Sequence, residues 1–114
     1  MAYQMSRNLM SFYIAGFQYW DGAMALDALR PGVELELVPE PDNPHDEHAV
    51  AIFHNGIKLG YIPAELNDMI SPLLVFGHAS IFRAVVQQVS PERSPWHQVR
   101  VGIFVADARQ AVQG

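Results

Sequence analysis

Glu40-Pro41-Asp42-Asn43-Pro44-His45-Asp46 decides how the rest of the chain is read. Two prolines, an asparagine and two aspartates within seven residues exclude a helix or a ladder strand. Proline has no N–H to donate, and Asn and Asp side chains bond their own backbone in turns. After this stiff acidic loop, His48 to Phe53 is an apolar strand, Asn55-Gly56 a two-residue hairpin turn, and Gly60-Tyr61-Ile62-Pro63 the end of the return strand. Asn-Gly is the strongest short hairpin signal, because both residues tolerate the positive φ of a type I′ turn. The loop is thus clamped against the start of a hairpin and holds one carboxylate, Asp46, close to a sheet surface. That arrangement predicts a binding site on a small β-barrel.

Upstream of the loop, Val33-Glu34-Leu35-Glu36-Leu37 alternates strictly, which turns three apolar residues to a core and two glutamates to water. Pro31-Gly32 is a turn signal. Phe12 to Phe17 reads as a first strand, stopped at Gly16 and Gln18. Gly22 to Leu29 reads as a short helix, with Asp21 as its cap and Met24, Leu26 and Leu29 partly buried. Downstream, Pro63 suits a first helical residue, Leu66, Met69 and Ile70 recur at helical spacing, and Pro72 limits the helix to about two turns. Ser80 to Val89 and Val99 to Val105 are two further strands around the polar loop Ser90 to His97. The order predicts a mainly β fold, a small closed barrel of OB or SH3 type with one short α-helix. A single domain over 1–114, with its core at about 12–105, is expected.

The bulk composition narrows the function. With 114 residues, half of them apolar and 17% charged, the chain is long enough to bury a core without disulfides or metals. No apolar run nears the ~20 residues that cross a bilayer, and Met1 to Arg7 lacks the pattern of a signal peptide. The absence of cysteine excludes disulfides, cysteine catalysis and thiolate metal sites. A cytoplasmic protein with no membrane partner is expected. Net charge is −5, and the seven basic residues (Arg7, Arg30, Lys58, Arg83, Arg93, Arg100 and Arg109) are scattered. That excludes a protein that coats duplex DNA, which needs a basic stripe. It leaves open the capture of one or two terminal nucleotides by stacking and hydrogen bonds.

Several stretches together carry a resemblance: Ile14 to Trp20, Leu35 to Pro41, Asn43-Pro44-His45-Asp46 with Ala49-Val50, and Leu59-Gly60-Tyr61-Ile62-Pro63 with Leu66. They resemble the HIRAN domain over about Phe12 to Phe104, as a free-standing copy of a module often found at the N-terminus of remodelling helicases. The resemblance implies a modified OB-fold that captures a single-stranded DNA 3′ end. It assigns the 3′-hydroxyl to Asp46, and places Tyr19 and Trp20 at the aromatic pair after the first strand. His45 stands where the family commonly has Tyr, and Tyr61 where the DNA-binding member has a phosphate-facing His. Trp96 falls at the stacking aromatic before the last strand, and Asn43 and Gln18 complete the implied site. Gln18 and Ala64 depart from the DNA-end binder, which has arginine and lysine there. The resemblance therefore implies weak binding, with a salt dependence of about one phosphate. A separately encoded helicase or nuclease is the partner it suggests.

Other classes remain open. A protein-interaction module would use the same groove or a free sheet edge. A metal-dependent hydrolase would need His45, Asp46 and His48 to converge, though they lack the i, i+4 helical spacing of a strong metal pair. No phosphate loop, nucleophile elbow or His-Glu-x-x-His is present, so no enzyme activity and no cofactor are expected. Asp46 also has an ordinary structural use, capping its own turn. Its two oxygens allow it to serve both the loop and a ligand.

Overall fold

The computed structural model of the chain describes residues 5–20 and 22–106. Six strands, β1 (Met5–Tyr13), β2 (Glu34–Pro39), β3 (Val50–His54), β4 (Ile57–Tyr61), β5 (Phe82–Val89) and β6 (Val99–Ala106), form one antiparallel sheet. Their order is β1-β6-β5-β2-β3-β4. The sheet curls until its two ends meet just beyond β1 and β4. There Ala15 and Tyr61 exchange both backbone hydrogen bonds, each 2.9 Å. The mainly β, OB-like fold expected from the sequence is what forms, and its closure is narrow, resting on that single bridge.

Inside the curl lie Phe12, Ile14, Phe17, Val50, Ile52, Leu59, Ile62, Val86, Val101 and Ile103, all buried. Each such side chain contributes about 1.5–3 kcal/mol by leaving water. Val33, Leu35 and Leu37 pack against this core while Glu34 and Glu36 are exposed, as their alternation requires. Asn55 (φ 49°) and Gly56 (φ 80°) make the left-handed pair of the hairpin turn.

One irregularity in this hairpin shapes the site. Phe53 pairs with Lys58 but Ile52 pairs with Gly60, so Leu59 is an extra residue, a β-bulge. Strict alternation would place Lys58 and Tyr61 on opposite faces. The bulge brings them to the same one.

Several boundaries differ from the sequence reading. The first strand runs from Met5 to Tyr13, not from Phe12 to Phe17. It starts earlier because Met5 to Phe12 pair along β6, and it ends earlier because Gly16 turns left-handed (φ 71°) and starts a 3-10 turn, Phe17–Tyr19. The helix expected over Gly22 to Leu29 is a single turn, α1 (Gly22–Ala25), followed by a 3-10 turn, Leu26–Ala28. Met24 is exposed there, while Leu26 and Leu29 pack on the core as expected and Ala25 joins them. The Asp21 cap lies outside the described residues. After Pro63 there are two helical turns where one helix was expected: α2 (Ala64–Asn67) and α3 (Ser71–Val75). Pro63 is the residue before α2, with ψ 139°, not its first residue. Pro72 sits in the first turn of α3, where a missing N–H costs nothing. It therefore opens a second helix, and Met69 in the break between them is exposed.

Candidate functional site

The acidic loop holds itself together with its own side chains. Asn43 Oδ1 accepts from the backbone N–H groups of His45 (2.8 Å) and Asp46 (3.1 Å), and Asn43 Nδ2 donates to Glu40 Oε1 (3.1 Å). Asp46 Oδ1 accepts from His48 N–H at 2.9 Å. The turn role of Asp46 is thus real, and it occupies one oxygen. The other oxygen, Oδ2, accepts from Asn67 Nδ2 at 2.8 Å. Asn67 closes α2 and is only 3% exposed. The amide of Asn67 first, and the His48 N–H second, hold the Asp46 carboxyl below the usual carboxylate range. A carboxylate offers about four lone-pair sites, so each oxygen retains one for a ligand donor.

This carboxylate borders a pocket of about 330 Å³ whose wall is otherwise mostly apolar. Ala15 and Trp20 come from one side of the barrel seam, Tyr61 and Ile62 from the other, and Asn43, His45, Ala49, Ala64 and Asn67 complete the lining. Trp20 meets Tyr61 edge to face, with centroids 6.0 Å apart. The bulge then matters. Lys58 Nζ lies 4.0 Å from the Trp20 ring centroid, donates to Glu40 Oε2 at 2.7 Å and contacts Tyr61 OH at 2.6 Å. Tyr61 OH donates in turn to Glu40 Oε1 at 2.9 Å. Trp20 and Tyr61 are therefore braced from behind by a partly buried ion pair, in which cation and ring attract.

Of the residues singled out from the sequence, Trp20, Asn43, His45, Asp46 and Tyr61 come together at this pocket. Gln18 and Tyr19 do not line it. They sit on the adjacent 3-10 turn, Tyr19 78% exposed, and neither Tyr19 nor Trp20 is the core residue of that segment, which is Phe17. Trp96, 54% exposed, lies on a further 3-10 turn, Pro95–His97, that packs beside the Phe17–Tyr19 turn. His45, Asp46 and His48 do not converge. It is the His48 backbone that engages Asp46, and among the described residues no three His, Asp or Glu side chains form a metal-holding group.

Two residues were not anticipated. Lys58 reaches the site only through the bulge, for which the neighbouring Gly60 is the one hint in the sequence. Asn67 stands amid the helical pattern after Pro63, and nothing local distinguishes it from a surface polar residue.

The fold has solved counterparts. A protein from Lactobacillus plantarum, a structural-genomics crystal structure, superposes with a TM-score of 0.74 at 21% identity, covering 89% of this chain and 95% of that one. The crystal structure of the HIRAN domain of human HLTF superposes with a TM-score of 0.64 at 17% identity, covering 87% of this chain and 76% of that one. At such identities the likeness is one of fold. No curated protein matches the chain in sequence. The family model of the HIRAN domain does match it, over residues 8–105, and with that span covering nearly all of the described barrel the chain belongs to the HIRAN domain family.

Proposed function

We propose that the chain is a binding module, not an enzyme, that captures the 3′-hydroxyl end of single-stranded DNA. The observation that carries this reading is Asp46: an ionised carboxylate, oriented by Asn67 and His48, at the edge of an apolar pocket walled by Trp20 and Tyr61. A terminal hydroxyl donates to the carboxylate while the last base packs against the aromatic wall. Stacking contributes ~1–3 kcal/mol per base and tolerates any sequence. The module works beside a separately encoded helicase or nuclease. Asn43 shapes the loop, and His45 borders the entrance. Membership of the HIRAN family supports the nucleic-acid reading, and among the described residues no helix is long and apolar enough to cross a membrane.

Fluorescence anisotropy with short oligonucleotides ending in 3′-hydroxyl, 3′-deoxy or 3′-phosphate tests it. A hydrogen bond to a charged group is worth about 1.5–3 kcal/mol, so the 3′-deoxy end should bind ten- to a hundredfold more weakly. The 3′-phosphate should be weaker still, since it sets like charge against Asp46. Asp46→Ala should erase the difference between hydroxyl and deoxy ends. Equal affinity for all three ends in the wild type would sink the proposal.

A second reading has one observation in its favour. Met69, Val75 and Phe76 are exposed on and around α3, Phe76 at 78%, away from the pocket lining. A protein-interaction module without DNA binding would use such a surface. Failure of every oligonucleotide to bind at low salt would favour it.

A further inference from the structure

Tyr13 faces outward from β1, since Phe12 and Ile14 on either side are buried in the core. Two residues on, Ala15 lines the Asp46 pocket. Positions i and i+2 of an extended chain share a face about 7 Å apart. Tyr13 therefore stands on the outer wall one step along from the pocket.

A basic and aromatic cluster gathers on that tyrosine. Arg100, its cross-strand partner in β6, holds its guanidinium carbon 5.5 Å from the Tyr13 ring centroid. Arg93 Nη1 donates to Tyr13 OH at 3.3 Å. His97 meets Tyr13 edge-on at 5.1 Å, and Trp96 meets His97 at 6.3 Å. The turn that carries Trp96 and His97 packs beside the turn that carries Gln18 and Tyr19, so the cluster adjoins the pocket from that side as well.

Lys58 is paired with Glu40, and Arg83 with Glu34 at 3.2 Å. Arg93, Arg100 and Arg30 all lack a carboxylate partner among the described residues, although the chain carries a net charge of −5. Of these three, only Arg93 and Arg100 contact an aromatic side chain. Two unpaired guanidiniums set against aromatic rings form a phosphate-binding chemistry, because the planar fork matches phosphate oxygens and the rings accept bases.

We infer that Tyr13, Arg93, Trp96, His97 and Arg100 form a phosphate-contacting extension of the site, over which a single strand runs away from its captured end. Arg93 and Arg100 hold phosphodiesters and Trp96 stacks a base. The direction of the strand rests on the end-capture reading; the cations do not. They stand in for the positive charge that Gln18 and Ala64 fail to supply, and at one phosphate per guanidinium they set the expected salt dependence at two phosphates in place of one.

The test uses 3′-hydroxyl single strands from dinucleotide to hexanucleotide, titrated between about 50 and 200 mM salt. Wild-type protein is compared with the double variant Arg93→Gln/Arg100→Gln and with Arg83→Gln as a control cation, after melting curves establish that each is folded. In the wild type, log K should fall against log salt with a slope of about −1.4, two phosphates at about 0.7 each. Affinity should climb from dinucleotide to tetranucleotide. The double variant should flatten the slope towards zero, lose that gain with length and keep the wild-type ratio between hydroxyl and deoxy ends. Arg83→Gln should match the wild type. An unchanged slope in the double variant, or equal flattening by Arg83→Gln, would overturn the extension while leaving end capture intact. A flattened slope without any preference for a hydroxyl end would uphold the phosphate site and overturn end capture. No binding by any length overturns both.

Discussion

At Lys58 three demands meet on one side chain: it neutralises Glu40, contacts the Tyr61 hydroxyl and lies under Trp20. Burial on its own would raise the Glu40 carboxyl, but hydrogen bonds from Lys58, Asn43 and Tyr61 outweigh it and hold it below the usual range. Burial would likewise lower the Lys58 ammonium, yet its bonds to Glu40 and Tyr61 hold it above. A lowered carboxyl stabilises the fold above its unfolded pKa, and that stability is lost as pH falls through its folded pKa. A raised ammonium stabilises below its unfolded pKa, and that part is lost as pH rises through its folded value. The pair is therefore fully effective at neutral pH. Lys58→Met keeps the stem but removes the ammonium from Glu40 Oε2 and from the Tyr61 hydroxyl oxygen, and should cost about 1–3 kcal/mol in urea unfolding at pH 7. The deficit should shrink in acid, where Glu40 in the wild type is also neutralised. A deficit of equal size at pH 7 and at the acid limit would mean that lost packing, not charge, is responsible. Trp20 fluorescence should shift in the same variant, because the indole loses the cation beneath it.

Between elements, the barrel depends on how closely β4 approaches the segment after β1. Gly60 has φ 152°, where side chains are strained, and a methyl there would overlap the Ala15 carbonyl oxygen and lie 2.6 Å from Ile14 Cγ2. Gly60→Ala should therefore open the Ala15–Tyr61 bridge and destabilise by about 2–4 kcal/mol, through overpacking and backbone strain together. Gly56→Ala is the comparison, since its φ is also positive (80°) but nothing lies within 4 Å of the added methyl. Its cost should be nearer 1 kcal/mol. Equal costs at the two sites would show that closure at Ala15 contributes nothing beyond backbone strain. The same elements show what the sequence could reveal. Alternation over Val33 to Leu37 and the Asn55-Gly56 turn are local signals with one cheap solution, and both formed as read. The ends of β1 and the helices are set by tertiary contact. Gly16 turns the chain so that Phe17 enters the core, and Leu66 packs on the core from α2 while Ile70 is buried at the cap of α3, two turns that a helical pattern alone joins into one. In the site, Asn43 and Asp46 were legible because their loop bonds are local. Asn67 reaches Asp46 from 21 residues away and Lys58 reaches Glu40 from 18, distances over which periodicity carries no information.

The pocket draws on the whole molecule. Its lining joins the two ends of the curled sheet, Ala15 and Trp20 on one side and Tyr61 and Ile62 on the other, with the acidic loop and α2 across the top. A ligand seated there contacts both sides of the narrow seam at once, and no partly opened chain presents that surface. Binding to the folded state alone stabilises by about 2.7 kcal/mol at a ligand concentration of a hundred times Kd. In a chain of 114 residues this corresponds to a rise in Tm of roughly 10 °C. A 3′-hydroxyl tetranucleotide at that concentration should give such a rise, and the 3′-deoxy form at the same concentration a clearly smaller one. Gly60→Ala, if it remains folded with its seam loosened, should bind more weakly, because part of the binding energy goes to closing the barrel. Its Tm should rise less at the same oligonucleotide concentration. Calorimetry decides between this coupling and a pocket independent of closure. If the variant binds the tetranucleotide as tightly as wild type while unfolding several degrees lower, seam and site are energetically separate and the pocket is built by the loop and α2 alone.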